Sequence, residues 1–492
     1  MIAAAVLCLV LLPLAAALVI WTLRLRGPAG PLSIALSGVM LAAALATFVR
    51  VQDRGPQTAF GDWIYIDSLG VIVLTLITVV GLCAALNSQS YIAHDLAHGD
   101  LRAEDEPRYY ALFLAFMATM AAVPVVNNLG VMWVAIEATT VVSVLLVSIY
   151  RTGHSLEAAW KYLVLGSVGI ALALFGTMMT YYAAFPTIGE SASALNWTEL
   201  RATSVQLDPE VMRLAFIFVL IGYGTKVGLA PMHTWLPDAH SQAPSPVSGL
   251  LSGVLLNCAV YAVLRFRVLT IDATGAEYTE RLLIGFGLFS IAIAVPFLAV
   301  QHDIKRMLGY SSVEHMGIIV LAVGVGGHLA LYAALLHLIA HSLTKSTLFL
   351  AAGSAVQAFN SRSMHRMRGL LRVIPIPGAA LVLGVLALAG MPPFAMFTSE
   401  YGLIYGAFAN DRAWVGVAGV LLIALAAGAM LYHVVTIAYR EPRSNAVVRK
   451  GSLAAAASIV IPVIVLLWVS IAPPDRFERT IDDAVAILEA QR

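Results

Sequence analysis

The chain has 492 residues, 60% apolar and 12% charged, against roughly 45–50% and about 25% in soluble domains, which excludes a soluble globular enzyme. Its 29 Lys+Arg stand against 28 Asp+Glu, so no basic field exists to neutralise nucleic-acid phosphates, and nucleic acid is not the partner. Cys8, Cys83 and Cys258 lie far apart in apolar runs without a CxxC pair, so the chain is expected to hold no metal, cluster or other cofactor, and any redox chemistry belongs to another chain.

Apolar runs of about 17–25 residues bounded by charges or Pro/Gly turns read as membrane-spanning helices. In chain order they fall at 1–23, 31–49, 67–88, 109–126, 129–150, 160–185 and 211–236, then at 245–264, 282–300, 310–326, 328–358, 376–409, 413–439 and 453–472. The expected fold is therefore all-α and integral to the bilayer, with about 14 spans. The first run has no basic leader and no small-x-small cleavage site before Arg24 and Arg26, so it reads as a retained span. An even span number puts both termini on one side of the membrane. Loops after odd-numbered spans carry 16 Lys and Arg, Arg362, Arg366, Arg443, Arg449 and Lys450 among them, against 11 on the other face with the tail included. By the positive-inside rule both termini face outward, across a bacterial cytoplasmic membrane.

Two spans are interrupted alike: the seventh by Pro231, Pro237, Pro244 and Pro246, the twelfth by Pro392-Pro393 after Gly390. Broken helices at matching places point to an internal repeat with a site where the backbone opens. The repeat covers spans four to eight and nine to thirteen, and its odd length of five makes the copies inverted. Four units follow: spans one to three (1–108), a first repeat (109–270), a second repeat (280–440), and a last span with a tail (441–492). In that tail Phe477, Ile481, Val485 and Leu488 recur at helical spacing, as in a surface amphipathic helix.

Four ionisable residues interrupt otherwise apolar spans: Glu137, Lys226, Lys345 and Glu400. Each costs about 2.5–3.5 kcal/mol at the bilayer centre. Together they approach the net stability of a whole domain, on the order of 10 kcal/mol, so they must be paired or used. The bland reading is a set of ion pairs pinning helices together; the sharper one is a proton or ion path. His337, His341 and Lys345 recur at i, i+4 and i+8 on one helix face. Imidazole titrates near neutrality, so such a stripe can hand protons along. HxxxH also suits a metal pair, but no third ligand is adjacent in sequence. Glu157 and Lys161 are spaced as an ordinary exposed helix pair. His315, after Glu314, either reaches the core or faces a loop, and His233 sits in the broken seventh span. The glycines of Gly222-Tyr223-Gly224 read as close-packing positions.

The run 222–265, GYGTKVGLAPMHTWLPDAHSQAPSPVSGLLSGVLLNCAVYAVLR, closely resembles the broken seventh helix and following span of the antiporter-like subunits of respiratory complex I. That family includes Mrp-type cation/proton antiporter subunits and the membrane arm of group 4 hydrogenases. QHDIKRMLGYSSVEHMG (301–317) and HLIAHSLTKSTLFLAAG (337–353) are similar to it too. AGMPPFAMFTSEYGLI (389–404) looks most like the hydrogenase-4 component F branch. The resemblance implies that Glu137 and Lys226 are the pair of the first half-channel, that Lys345 is the lysine of an interrupted eleventh helix, and that Glu400 is an exit position. It further implies that Asn257 stands where several complex I subunits place a lysine or histidine linking the half-channels. An amide cannot carry a proton at neutral pH, so ordered water must complete the link or the path differs there. The implied function is proton translocation within a redox-driven complex, with other membrane-arm subunits and, through them, iron–sulfur subunits as partners. The alternatives are a cation/proton (Na+/H+) exchanger and a scaffold.

Overall fold

The computed structural model describes residues 2–441 and 452–489; the expected loop charges Arg443, Arg449 and Lys450 lie outside them. Among the described residues eleven helices are long and apolar enough to cross a membrane. The other three expected spans are also helical. The fourth, Glu106–Ala122, is shorter; the seventh begins as Pro209–Val227 and carries Glu210, Arg213 and Lys226; the twelfth is split into Pro375–Leu388 and Ala395–Ala409. Helix starts follow from local chemistry. Asp67, Asn128, Thr152, Asp208 and Asp303 each accept a hydrogen bond from a backbone N–H of the first turn, satisfying donors that a helix leaves unpaired.

The spans sort by enclosure. The eighth (Ser245–Thr274), tenth (Ile304–Val325) and eleventh (Gly327–Phe359) each bury a whole 18-residue stretch, whereas at most 33% of the corresponding stretch is buried in the first, second, thirteenth and fourteenth. The sixth (Gly153–Ile188) and seventh meet backbone to backbone: a Cβ on Gly222 would fall 2.4 Å from Ala173 N. The glycine read as a packing position is one.

Both proline-marked breaks are present. The seventh helix stops at Gly228, whose φ of +84° favours glycine, and resumes as the half-helix Trp235–Gln242. Ala230 N donates to Ser290 Oγ and Trp235 Nε1 to Thr225 O, so side chains satisfy groups freed by the break. At the twelfth, Ala395 N donates to Ser470 Oγ of the last span. The interruption expected in the eleventh span is absent: Gly327–Phe359 is one continuous helix. Its polar residues His337, His341, Ser342 and Lys345 have side-chain rather than backbone consequences, because HLIAHSLTK contains neither proline nor glycine to open the helix. The eighth span instead contains a π-helical turn at Leu251–Leu255. The tail forms the helix Asp475–Leu488, and its apolar face is buried against the bundle: Ile481, Val485 and Leu488 are each 0% exposed.

Strands Gln57–Ala59 and Ile64–Ile66 make a small antiparallel hairpin leading into Asp67. Asp67 forms a bidentate pair with Arg265 of the eighth span, at 2.7 and 2.8 Å. Tyr261 OH accepts from the same guanidinium, which also stacks 4.2 Å from the Trp197 ring. This pair locks the buried eighth span to the start of the third. Removing one member of such a buried pair costs about 3–5 kcal/mol. Arg265→Ala is accordingly expected to lower the thermal denaturation midpoint in detergent sharply. The double variant Asp67→Leu/Arg265→Met should lose less, and equal loss in both would contradict this account.

Candidate functional site

Lys226, the last residue but one of the first half of the seventh helix, is 2% exposed. Its Nζ donates to Thr140 Oγ1 and to Tyr162 OH, both at 2.7 Å. Thr140 in turn donates to Glu137 Oε2 at 3.1 Å, and Tyr162 OH lies 2.9 Å from Ser143 Oγ. Glu137 and Lys226 are therefore brought together through a hydroxyl rather than as a direct ion pair. The Tyr162 ring is fixed by stacking on Trp235 at 4.2 Å between centroids, and Lys226 Nζ lies 4.7 Å from the Tyr162 centroid. The break in the seventh helix thus builds one wall of the lysine's site.

Asn257 follows the π-helical turn and is fully buried. Its Nδ2 donates to Gly253 O at 3.0 Å and to Ser342 Oγ at 2.6 Å, while Oδ1 has no protein partner. Ser342 neighbours His341, so Asn257 joins the eighth and eleventh spans beside the polar stripe. Both ring nitrogens of His341 are buried and without protein partners.

The stripe His337, His341 and Lys345 is fully enclosed, and His315 of the tenth span inserts between its histidines. The His315 ring centroid lies 5.2 Å from that of His337 and 5.8 Å from that of His341. His315 Nδ1 and His337 Nε2 are 3.0 Å apart, and His337 Nδ1 is 2.9 Å from Ser399 Oγ. His315 and Glu314 both reach the core, at 0% and 1% exposure. Lys345 Nζ donates to Leu308 O at 3.0 Å and to Ser311 Oγ. Glu400 is buried at the broken twelfth span with Oε1 unpartnered. A Cβ on Gly390 would sit 2.1 Å from Glu400 Oε2, and Gly390 has φ of +62°, so the break needs glycine there on both counts. His315, His337 and Glu400 present one potential ligand atom each, all within 4.8 Å of one another.

The remaining candidates lie elsewhere. Lys161 Nζ pairs with Glu157 Oε1 at 2.6 Å on an exposed helix turn and with Asp238 Oδ2 at 3.2 Å, where Asp238 also meets Arg306. His233 is buried within the break, with its ring 6.5 Å from Phe297 and from Tyr310, apart from both clusters.

Three residues escaped the sequence reading. Glu314 was weighed only as the neighbour of His315. His240, wholly buried with both nitrogens unpartnered and stacked on Phe349 at 5.0 Å, lies between Pro237 and Pro244, where a chain turn was expected instead of an inward half-helix. Lys305 is 2% exposed and donates to Ala243 O at 2.5 Å. The one signal for it was its place in QHDIKRMLG, next to the capping Asp303.

A family described as NADH:quinone oxidoreductase/Mrp antiporter, TM, matches residues 126–426. The hydrogenase-4 component F homolog of Methylacidiphilum infernorum (isolate V4) is 45% identical over 385 residues, 78% of this chain and 81% of that one. NADH-quinone oxidoreductase subunit N of Desulforudis audaxviator (strain MP104C) is 29% identical over 457 residues, 87% and 88% of the two chains. A chain in the structure of an archaeal membrane-bound sulfane sulfur reductase shares the fold at a TM-score of 0.88 and 22% identity, covering 99% of this chain and 98% of that one. The chain is a multi-pass membrane protein belonging to the NADH:quinone oxidoreductase/Mrp antiporter family.

Proposed function

We propose that this chain moves protons across a bacterial cytoplasmic membrane as one subunit of a larger redox-driven complex, with both termini outside. One observation carries the reading. Among the described residues no carboxylate lies within ion-pair distance of Lys226 or Lys345. Both ammonium groups are held by hydroxyls, joined at Lys345 by a carbonyl. Helix-pinning pairs look different, as Asp67 and Arg265 illustrate with their two direct bonds. A hydroxyl can accept a proton from one side and release one to the other as it turns, so it suits a relay.

In this reading the path runs from Glu137 through Thr140 to Lys226, past Asn257 and Ser342 to His341, and on through His315, His337 and Lys345 to Glu400. Spans four to eight and nine to thirteen act as inverted half-channels, the units being 1–108, 109–270, 280–440 and 441–492. A carboxylate brought near Lys226 favours its charged form, and withdrawing it favours release. Movement of a neighbouring subunit's charge therefore loads and empties the lysine. Iron–sulfur subunits reached through other membrane-arm subunits supply the electrons, and this chain holds no redox cofactor of its own.

A cation/proton exchanger is the second reading, favoured by the Mrp half of the family description. Sodium needs several oxygen ligands, and the second cluster is half imidazole. Sodium-dependent collapse of a pH gradient by the purified chain in vesicles would favour exchange.

Lys226→Ala, assembled in its complex, is expected to reduce redox-coupled proton translocation in vesicles to background while leaving the partners' electron transfer with an artificial acceptor intact. Full pumping by that variant would refute the relay. Asn257 gives a sharper comparison, because its Oδ1 is a buried acceptor that needs water to satisfy it. Asn257→Leu keeps the size but removes every hydrogen-bonding group, and most pumping should disappear although the complex assembles. Asn257→Lys should keep a substantial part. Wild-type pumping by the leucine variant would make Asn257 a packing residue.

A further inference from the structure

We propose that His315, His337 and Glu400 form a binding site for a tetrahedral divalent transition-metal ion of the zinc class, and that its occupation stops the relay. Binding is independent of the proposed function; the block rests on it.

Hydrogen-bond direction fixes the histidine tautomers. Ser399 Oγ donates its proton to Met396 O at 2.8 Å, so it accepts from His337 Nδ1–H. His337 Nε2 is then a bare lone pair, which accepts from His315 Nδ1–H at 3.0 Å. His315 Nε2 is left bare, 3.8 Å from Glu314 Oε2, and neither atom has a hydrogen-bond partner. Glu400 Oε1 is likewise buried and unpartnered. Three enclosed polar atoms here, like both ring nitrogens of the neighbouring His341, have no protein partner, and buried groups of this kind call for an occupant such as water or an ion.

A metal would engage Glu400 directly and leave His315 Nε2 as a donor facing Glu314 Oε2. If the His315 proton moves from Nδ1 to Nε2, the ring presents Nδ1 beside His337 Nε2 as two lone pairs. Zinc at about 2.0–2.2 Å from each ligand sets ligand atoms a little over 3 Å apart, near the 3.0 Å between the two histidine nitrogens, while the Glu400 oxygen lies within 4.8 Å of both. Glu400 completes a His2Glu set with a fourth position for water, as in other three-ligand zinc sites. The relocated His315 Nε2–H faces the Glu314 carboxylate, and His337 Nδ1–H keeps its bond to Ser399. The other nitrogen of His337 is then held by an acceptor and that of His315 faces one 3.8 Å away, close to the arrangement that orients histidines on zinc. The carboxylates of Glu314 and Glu400 offset the charge of a divalent ion beside the Lys345 ammonium. The ligands come from the tenth, eleventh and twelfth spans, which is why the HxxxH spacing within one helix shows no third ligand. An ion here occupies the very lone pairs that the relay needs to pass a proton.

The complex purified through this chain, stripped of loosely held metal, can be titrated with Co2+ and followed by visible absorption. One Co2+ per chain beyond the count in the His315→Gln/Glu400→Gln double variant, with the intense bands of tetrahedral cobalt and displacement by Zn2+, is expected. Glu314→Gln keeps all three ligands and should weaken binding by about 10–100-fold. Equal uptake by wild type and double variant, or only the pale spectrum of octahedral cobalt in the wild type, would overturn the site. The wild-type spectrum decides even if the double variant fails to assemble. In vesicles that translocate protons without metal, added Zn2+ should stop translocation, and continued pumping with cobalt-competent sites filled would overturn the block. Vesicles that never translocate would count against the proposed function and leave the spectral result standing.

Discussion

The structure depends on one constraint: an ionised or polar group enclosed among apolar helices must find its partners there, because the bilayer offers none. The eighth, tenth and eleventh spans are enclosed over their central stretches, and there they hold Asn257, Glu314, His315, His337, His341 and Lys345. Outer spans such as the second, thirteenth and fourteenth carry few polar groups and face outward. Enclosure and function are thus arranged by the same layering. Helices that tolerate lipid surround helices that could not.

The two halves of the site solve the constraint with different chemistry. Around Lys226 the partners are the hydroxyls of Thr140 and Tyr162, the latter bonded to Ser143 and fixed by stacking on Trp235. In the second half Lys345 is itself held by Ser311 and Leu308 O, but the groups beside it are histidines, and the hydrogen-bond chain His315–His337–Ser399 has a defined direction ending at Met396 O. A hydroxyl chain can reverse by rotation of O–H bonds, whereas an imidazole must exchange the proton between its two nitrogens to reverse. The first half is consequently suited to rapid adjustment around one charge and the second to storing a polarity.

Much of this was legible before any coordinates. Span positions, both breaks and the amphipathic tail follow from hydropathy, proline placement and helical period, because those signals are local. Glu137, Lys226, Lys345 and Glu400 stood out because a charge in an apolar run is itself the anomaly. The insertion of Thr140 between Glu137 and Lys226 was not legible: a threonine in a membrane helix normally bonds its own backbone, and the direction of its side chain depends on the neighbouring helix. His315 was ambiguous for the same reason, since only the packing of the tenth span against the eleventh puts it between His337 and His341. His240 was hidden by the prolines around it. The continuous eleventh helix shows the limit of resemblance, because an interruption needs a local breaker and HLIAHSLTK has none.

The breaks explain how charges can be enclosed without freezing the protein around them. At the seventh, the freed backbone is tied to Ser290 and Trp235; at the twelfth, it is tied to Ser470. Each tie is a single hydrogen bond, with a net worth of about 1 kcal/mol. Lys226 lies two residues before Gly228, and Glu400 packs against Gly390, so each ionisable group sits where the helix is least constrained by its own ladder. Asp67–Arg265, by contrast, is bidentate and stacked on Trp197. Rigid charge pairing holds the frame, and loosely tied backbone lies beside Lys226 and Glu400, two of the groups on the proposed relay.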